Sequence, residues 1–104
     1  MALIIQKYGG TSVGSTKRIK HVAARIAQFK KQGHQVVVVV SAMSGQTDKL
    51  LSLAKEIQDP PNPRELDVVL STGEQVTIGL LSLALTKLGT VSYTHLTLPT
   101  IYSV

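Results

Sequence analysis

Five consecutive valines, at positions 36–40, constrain the fold of this 104-residue chain more than any other feature. β-branched side chains favour strands, and an unbroken apolar run predicts a strand that is buried on both faces, as in a parallel sheet. Residues 2–7 predict a second short, buried strand. Between the two strands, from Ser15 or Thr16 to about Gln32, apolar residues recur at three- and four-residue steps, which predicts a helix with one buried face.

Strand, helix and strand at this spacing predict a βαβ unit with parallel strands and a right-handed crossover. The loops that follow the two strands, Gly9-Gly10 and Ser41–Thr47, then leave the sheet at the same edge. Ligands of open α/β sheets bind along the edge formed by the carboxyl ends of the strands. We therefore expect Lys7 and Ser41 to lie at one sheet edge, where the two polar loops line a shared site.

The remainder of the chain predicts mainly helix. Helices are expected over about residues 47–57, 64–71 and 75–88, with a turn at Asp59–Pro63 and an interruption at Gly73-Glu74. The last helix is apolar nearly all round, so we expect it in the interior. A hydrophobic fraction of 43%, with one Phe and no Trp, indicates one modest domain with an aliphatic core.

The composition disfavours several classes of protein. The chain has no cysteine, which excludes disulfides, zinc–thiolate sites and a cysteine nucleophile, and which fits a reducing, cytoplasmic location. The N-terminus has no secretory-signal pattern. The longest mostly apolar run, Val76 to Leu85, is too short to span a bilayer, so no membrane partner is expected.

The net charge of +5 raises the question of nucleic acid binding. No Asp or Glu occurs before Asp48, and the first predicted helix carries the basic residues Lys17, Arg18, Lys20, Arg25, Lys30 and Lys31. A solvated helix face explains this pattern, and no aromatic residues interleave with the bases as a single-strand binder needs. We therefore expect no nucleic acid partner. A non-catalytic module that binds phosphate or nucleic acid stays as the alternative class, and the salt dependence of DNA binding distinguishes it.

The segment Lys7–Gly14 has the outline of a phosphate-binding loop. The first strand ends in lysine, and Gly9-Gly10 and two hydroxyl residues precede the start of a helix. Glycines let backbone N–H groups approach a phosphate, a helix N-terminus favours the anion, and lysine adds a mobile positive charge. The lysine precedes the glycines, so the segment is not a P-loop. An ordinary strand-to-helix turn is the alternative interpretation.

The string Lys7–Gly14, KYGGTSVG, resembles the first signature of the amino-acid kinase family and of aspartate kinases in particular. Val39–Thr47 is similar to the second loop of aspartate kinases, and Arg64–Asp67 with Leu70–Gln75 is similar to their third signature. Three matches in order are more specific than any one of them. The resemblance implies an α/β fold, namely the N-terminal part of a three-layer α/β/α sandwich with a mostly parallel sheet, truncated here.

The activity that the resemblance implies is ATP-dependent phosphorylation of the side-chain carboxylate of L-aspartate to 4-phospho-L-aspartate, the first step toward lysine, threonine and methionine. Lys7 would be the catalytic residue that contacts the ATP phosphates, and Tyr8, Gly9 and Gly10 would supply the backbone cradle. Such groups suit phosphoryl transfer, which depends mainly on positioning and electrostatics. No metal site is visible in the sequence, so Mg²⁺ is expected to arrive with ATP.

The resemblance also implies residues that bind aspartate. Ser41 and Thr47 would offer hydroxyl groups to the substrate, and Glu74 would pair with its α-ammonium group. Each assignment has a structural alternative. The two hydroxyl residues suit helix or loop capping, and Glu74 suits an exposed acid at a helix N-terminus, where the helix dipole favours negative charge.

The last segment, residues 91–104, departs from the resemblance. Family members should continue with a strand and a substrate loop, whereas Val91–Thr100 resembles the translation of a transposon-end adapter used in sequencing libraries. A genuine, divergent terminus is the alternative interpretation. We therefore expect residues 1–90 to be the N-terminal portion of an amino-acid kinase catalytic domain and residues 91–104 to be an artefactual tail. The polypeptide as given is expected to be inactive, because the groups that close the nucleotide pocket should follow residue 90.

The parent protein is expected to be a cytoplasmic homo-oligomer that binds L-aspartate and ATP. Two related enzymes stay as alternatives to a monofunctional aspartate kinase. They are another amino-acid kinase, which the KYGGTS string disfavours, and the kinase half of a bifunctional aspartokinase–homoserine dehydrogenase. Only sequence beyond residue 90 distinguishes the bifunctional enzyme.

Overall fold

The computed structural model describes residues 1–90, which form a two-stranded sheet, a short 3-10 helix and three α-helices. The expected tail lies outside the described residues. In chain order the elements are β1 (Leu3–Tyr8), a 3-10 helix (Gly10–Val13), α1 (Thr16–Lys31), β2 (Gln35–Val40), α2 (Gln46–Ile57) and α3 (Pro63–Lys87).

The two strands are parallel neighbours, as the sequence predicts. Leu3 lies opposite Gln35 at the start of the ladder, and Tyr8 lies opposite Val40 at its end. The helix α1 makes the crossover between them, and the predicted βαβ unit is therefore confirmed. Because the strands are parallel and in register, both end at the same sheet edge, and the loops after Tyr8 and Val40 start side by side.

Local signals explain where α1 begins and ends. The side chain of Ser15 caps the helix by accepting a hydrogen bond from the backbone N–H of Arg18 at 3.3 Å. Lys30 and Lys31 lie in the last turn, where the helix dipole favours positive charge. The buried side chains repeat with helical spacing and are Ile19, Val22, Ala23, Ile26 and Ala27. The predicted helix and its buried face are confirmed.

The aliphatic core lies between one face of the sheet and the helices. Helix α3 packs on both α1 and α2, and it also contacts β2. Val13 from the 3-10 helix and Val40 from the end of β2 enter the core beside Leu81 and Leu85 of α3. The end of the sheet that carries the loops is thus anchored in the core.

Helix α3 corrects the prediction of an interruption at Gly73-Glu74, because it runs unbroken from Pro63 to Lys87. Asn62 caps it by accepting hydrogen bonds from the N–H groups of Arg64 and Glu65, and proline occupies the first turn, where its missing N–H costs nothing. A glycine inside a helix costs only about 0.5–1 kcal/mol relative to alanine, which the packing of Gly73 can offset.

The prediction that this last helix is interior is also corrected in part. Leu81 and Leu85 are buried, but Val76 is 54% exposed and Leu83 is 68% exposed. By length and composition α3 is apolar enough to cross a membrane, but core helices of soluble proteins pass the same test. Its contacts with α1 and α2 fit a core helix with one uncovered side.

The sheet likewise has one uncovered face, contrary to the prediction of burial on both. Val36 and Val38 pack against the core, whereas Val37 and Val39 are 48% and 49% exposed. The reason is that the helices of the described residues cover only one side of the two strands. We call the other side, which carries Leu3, Ile5, Lys7, Val37 and Val39, the open face.

Candidate functional site

The chain turns sharply after β1 and enters the 3-10 helix directly after Gly9. Gly9 is extended, with φ −154° and ψ 173°, and Gly10 takes a left-handed φ of +56° that a side chain would strain. The N–H of Ser12 donates to the carbonyl of Gly9 at 3.1 Å, which closes the first turn of the 3-10 helix. The first N–H groups of a helix lack intrahelical acceptors, so this turn is chemically suited to an anion.

Lys7 and Tyr8 point to opposite sides of the sheet. Lys7 lies exposed on the open face, opposite Val39 in the ladder. The Tyr8 side chain lies on the covered side, where its hydroxyl donates to Gln6 Oε1 at 2.9 Å. Only the backbone of Tyr8 is therefore available to a ligand that Lys7 contacts on the open face.

Ser41 joins the second loop to the first. Its backbone N–H donates to the carbonyl of Tyr8 at 3.1 Å, and its hydroxyl donates to the carbonyl of Ala42 at 3.1 Å. Its Oγ also lies against Gly9, where an added Cβ would sit only 3.1 Å away. Lys7 and Ser41 thus lie at the same sheet edge, and this geometric prediction is confirmed. Because the Ser41 hydroxyl bonds to the carbonyl of Ala42, loop capping stays an alternative to substrate binding for Ser41.

Thr47 lies exposed in the first turn of α2, and it does not cap that helix. The N-cap is Gly45, which has a φ of +82° and contributes no side-chain cap bond. The capping alternative for Thr47 is therefore wrong. Thr47 is exposed at the end of the second loop, where a substrate can reach it.

Glu74 lies exposed in the middle of α3, eleven residues after the helix begins at Pro63. The alternative that placed Glu74 at a helix N-terminus is therefore wrong, since the dipole effect is confined to the first and last turns. Its neighbour Gly73 is buried against the second loop, where an added Cβ would meet Ala42 Cβ at 3.0 Å. The acid thus follows directly on a tight contact between α3 and the second loop.

A further contact between the loops was missed from the sequence. A Cβ on Gly14 would lie 3.4 Å from the Cβ of Ser44, so the end of the first loop packs against the second. The sequence offered one sign of this contact. Gly14, the last glycine of KYGGTSVG, has no role in the predicted phosphate cradle, so close packing was another reason for a glycine at this position. The structure thus brings together the first loop, the second loop and the middle of α3.

The donor groups at this edge suit a phosphate rather than a metal. They are an exposed lysine, hydroxyls and the amides of a glycine turn, all of which interact favourably with anionic oxygens. Within residues 1–90 no three His, Asp or Glu side chains lie together as metal ligands. An oxygen-loving cation such as Mg²⁺ therefore finds no carboxylate cluster in this part of the chain.

A basic groove runs along one flank of α1, with a volume of about 1130 Å³. Its walls include Tyr8 and Ser12 from the first loop region and Leu88 from the end of the described residues. The cationic lining residues are Lys17, Arg18, Arg25 and Lys31, and His21 lies among them. Four of the six basic residues that the sequence assigned to a solvated helix face therefore line a concave surface.

Comparison with known proteins assigns the chain to a family. The sequence model of the amino acid kinase family matches residues 2–101. The chain belongs to the amino acid kinase family, as its signature strings indicate.

Individual relatives narrow the resemblance. The chain is 62% identical over 96 residues to the aspartokinase of Pseudomonas aeruginosa and 60% identical over 96 residues to aspartokinase 2 of Bacillus subtilis. The crystal structure of an aspartate kinase from Synechocystis superposes with a TM-score of 0.80 and 56% identity, over 83% of this chain and 15% of that chain. The matches cover 90% of this chain but only 23% and 24% of the two curated relatives. The chain therefore spans about a quarter of their length.

Proposed function

We propose that this chain is the N-terminal part of an aspartate kinase, which transfers the γ-phosphoryl group of ATP to the side-chain carboxylate of L-aspartate. One observation carries the proposal. Three segments that are distant in sequence meet at one sheet edge, and they carry a lysine with a glycine turn, a serine and a glutamate. The identity of 60% and above to proteins named aspartokinase supports the same reading.

The phosphate side of the proposed site is the first loop. Lys7 would contact the ATP phosphates and neutralise the negative charge that spreads over the transferred group in the transition state. The backbone of Tyr8, Gly9 and Gly10 would form the cradle, because Gly10 is left-handed and Gly9 has no side chain between the turn and Ser41. The side chain of Tyr8 has no part in this role.

The aspartate side is formed by the second loop and α3. The hydroxyls of Ser41 and Thr47 would donate hydrogen bonds to substrate oxygens, and the Glu74 carboxylate would pair with the α-ammonium group. Aspartate carries charges of both signs, and this arrangement offers donors and a carboxylate on neighbouring elements. The reacting carboxylate would then be directed toward the first loop, where the phosphate is held.

Magnesium bound to the nucleotide would supply further neutralisation of the phosphates. The described residues contribute no ligand cluster for it, so phosphate oxygens and groups elsewhere in the parent would complete its coordination. We further propose that the parent acts in the cytoplasm, as a homo-oligomer, at the first step toward lysine, threonine and methionine. Fusion of the kinase to a homoserine dehydrogenase stays open.

A chimera tests the proposal. Residues 1–90 replace the matching segment of Bacillus subtilis aspartokinase 2, with which the chain is 60% identical. We expect ATP-dependent phosphorylation of aspartate, measured as ADP release that requires aspartate. The matched control is the same chimera with Lys7→Ala. A stable chimera that binds ATP and shows no aspartate-dependent turnover contradicts the proposal.

The basic groove along α1 favours a second candidate function, the binding of a polyanion such as nucleic acid. Four cationic side chains on one concave surface meet the electrostatic requirement, and the groove lining also includes one aromatic residue, Tyr8. DNA binding by the chimera at several salt concentrations distinguishes the two functions. Phosphate contacts predict an affinity that falls steeply with salt, and binding that Lys17→Ala and Arg25→Ala leave unchanged argues against this groove.

A further inference from the structure

The second loop contacts each neighbouring segment through a glycine. Ser41 lies against Gly9 of the first loop, and Ser44 lies against Gly14. On the other side, Ala42 lies against Gly73 of α3. Glycines at such contacts let two backbones approach more closely than any other residue allows. The relative positions of the three segments are therefore set by contacts at the second loop.

The contact at Gly73 is the tightest of these. An added Cβ would lie 3.0 Å from Ala42 Cβ and 3.3 Å from Leu50 Cδ1. Leu50 can move its side chain away, but the Ala42 methyl moves only with its backbone. That backbone is buried and follows Ser41, whose N–H is bonded to the carbonyl of Tyr8. A methyl at position 73 therefore separates α3 and the second loop by a few tenths of an ångström.

Helix α3 also has a buried side at this point. Thr77 is fully buried, and its hydroxyl donates to the carbonyl of Gly73 at 3.3 Å. The side of the helix that carries these two residues faces the protein interior, so the next residue, Glu74, is held on an adjoining exposed surface. A displacement of α3 at Gly73 therefore moves the carboxylate of Glu74 relative to the second loop.

We propose that Gly73 is a positioning residue for the amino-acid substrate. Its close contact with Ala42 sets the spacing between the Glu74 carboxylate and the Ser41 hydroxyl, and this spacing determines how well a small amino acid with charges of both signs is held. The inference rests on the proposed function, because it assigns both groups to aspartate. It adds Gly73 to the proposed aspartate site as a residue that does not itself contact the substrate.

The test uses the chimera with Gly73→Ala and measures KM for aspartate and ATP separately. We expect KM for aspartate to rise on the order of tenfold, because small misplacements of binding groups have large effects. KM for ATP and kcat should change less than about twofold, since the first loop keeps its own contacts with Ser41 and Ser44. A merely structural role predicts a lower melting temperature without this selective change in one KM.

Gly79→Ala is the matched control. Gly79 lies in the same helix, is exposed, and has no atom within 4 Å of an added Cβ among the described residues. Alanine favours helix at both positions equally, so the two variants differ only in the contact that the methyl makes. We expect Gly79→Ala to leave both KM values unchanged.

A compensating variant makes the test independent of how well Gly73→Ala folds. Adding Ala42→Gly removes the methyl that the new one meets, so Gly73→Ala with Ala42→Gly should restore KM for aspartate to the value of Ala42→Gly alone. A KM for aspartate that Gly73→Ala leaves unchanged overturns the inference, as does one that the second substitution fails to restore. In both cases an active chimera leaves the proposed function standing. A chimera that folds, binds ATP and lacks aspartate-dependent turnover overturns both.

Discussion

The two faces of the small sheet carry the same kind of side chain and have opposite surroundings. Val38 and Val40 pack into the core beneath the helices, whereas Ile5, Val37 and Val39 lie on the open face and are about half exposed or more. Alternation along a strand places neighbouring residues on opposite faces, so one run of valines supplies both. Apolar residues therefore specify the strand, while other parts of the chain determine which face of the sheet is covered.

The open face also carries the charge on which the proposed chemistry depends. Lys7 shares it with Leu3 and Ile5, because residues two apart in a strand lie on the same side. In a three-layer sandwich this face would lie under a second layer of helices. The proposed catalytic group thus belongs to the side of the sheet that the described residues leave uncovered.

The largest effect is expected from the absence of that layer. The 104-residue polypeptide on its own should show no aspartate-dependent ADP release and should form oligomers or aggregates, because exposed apolar patches favour association. Size-exclusion chromatography and a coupled ADP assay measure the two outcomes. A monomeric sample that forms ADP only with aspartate present would contradict this prediction. It would show that a sheet covered on one face is sufficient for activity.

Removing the charge on the open face should have the next largest effect. In the chimera, Lys7→Ala should lower kcat by about 10²–10³-fold, in the range that loss of one preorganised electrostatic group produces. Lys20→Ala is the matched control, since Lys20 is an exposed lysine on α1 that lies outside the groove lining. Equal activities of the two variants would refute the role of Lys7. Circular dichroism checks that both keep their fold.

A smaller and more selective effect is expected on the aspartate side. Glu74→Gln keeps the shape of the side chain and deletes the counter-charge to the α-ammonium group, so KM for aspartate should rise on the order of tenfold or more. Glu56→Gln, an exposed acid on α2, serves as the control. Steady-state kinetics with either substrate varied provides the measurement. A rise in KM for ATP alone would place Glu74 on the nucleotide side instead.

Short sequence patterns predicted much of this structure, because interactions between residues close in sequence determine many of its features. The parallel pairing of β1 and β2, the cap at Ser15, the buried face of α1 and the shared edge of Lys7 and Ser41 all follow from residue types and spacing. The same is true of the family, since signature strings are short runs of sequence. These features need no knowledge of distant contacts.

Features that depend on tertiary contacts were predicted less well. Glycine in a helix weakens it locally, so the sequence predicted a break at Gly73, whereas α3 continues through it against Ala42. The same contact explains why Glu74 lies in mid-helix rather than at a helix start. The open face was missed for a related reason. A run of valines carries no information on whether the elements that cover its second face lie within the same 90 residues.

The smallest effect is expected from two adjacent valines that have opposite surroundings. Val40 is 8% exposed in the core and Val39 is 49% exposed on the open face. Threonine is similar to valine in shape and β-propensity, so each substitution exchanges one methyl group for a hydroxyl. In the 104-residue polypeptide, Val39→Thr should raise the soluble fraction, and Val40→Thr should lower it, because a buried hydroxyl without a partner costs about 1–3 kcal/mol.

In the chimera, where the rest of the kinase domain should cover the open face, both substitutions should lower the free energy of unfolding by similar amounts. Denaturant melts of the two chimeras measure this directly. A Val39→Thr chimera as stable as its parent would mean that the open face stays uncovered in the complete domain, and the difference between the two faces would then be a property of the fold rather than of the segment.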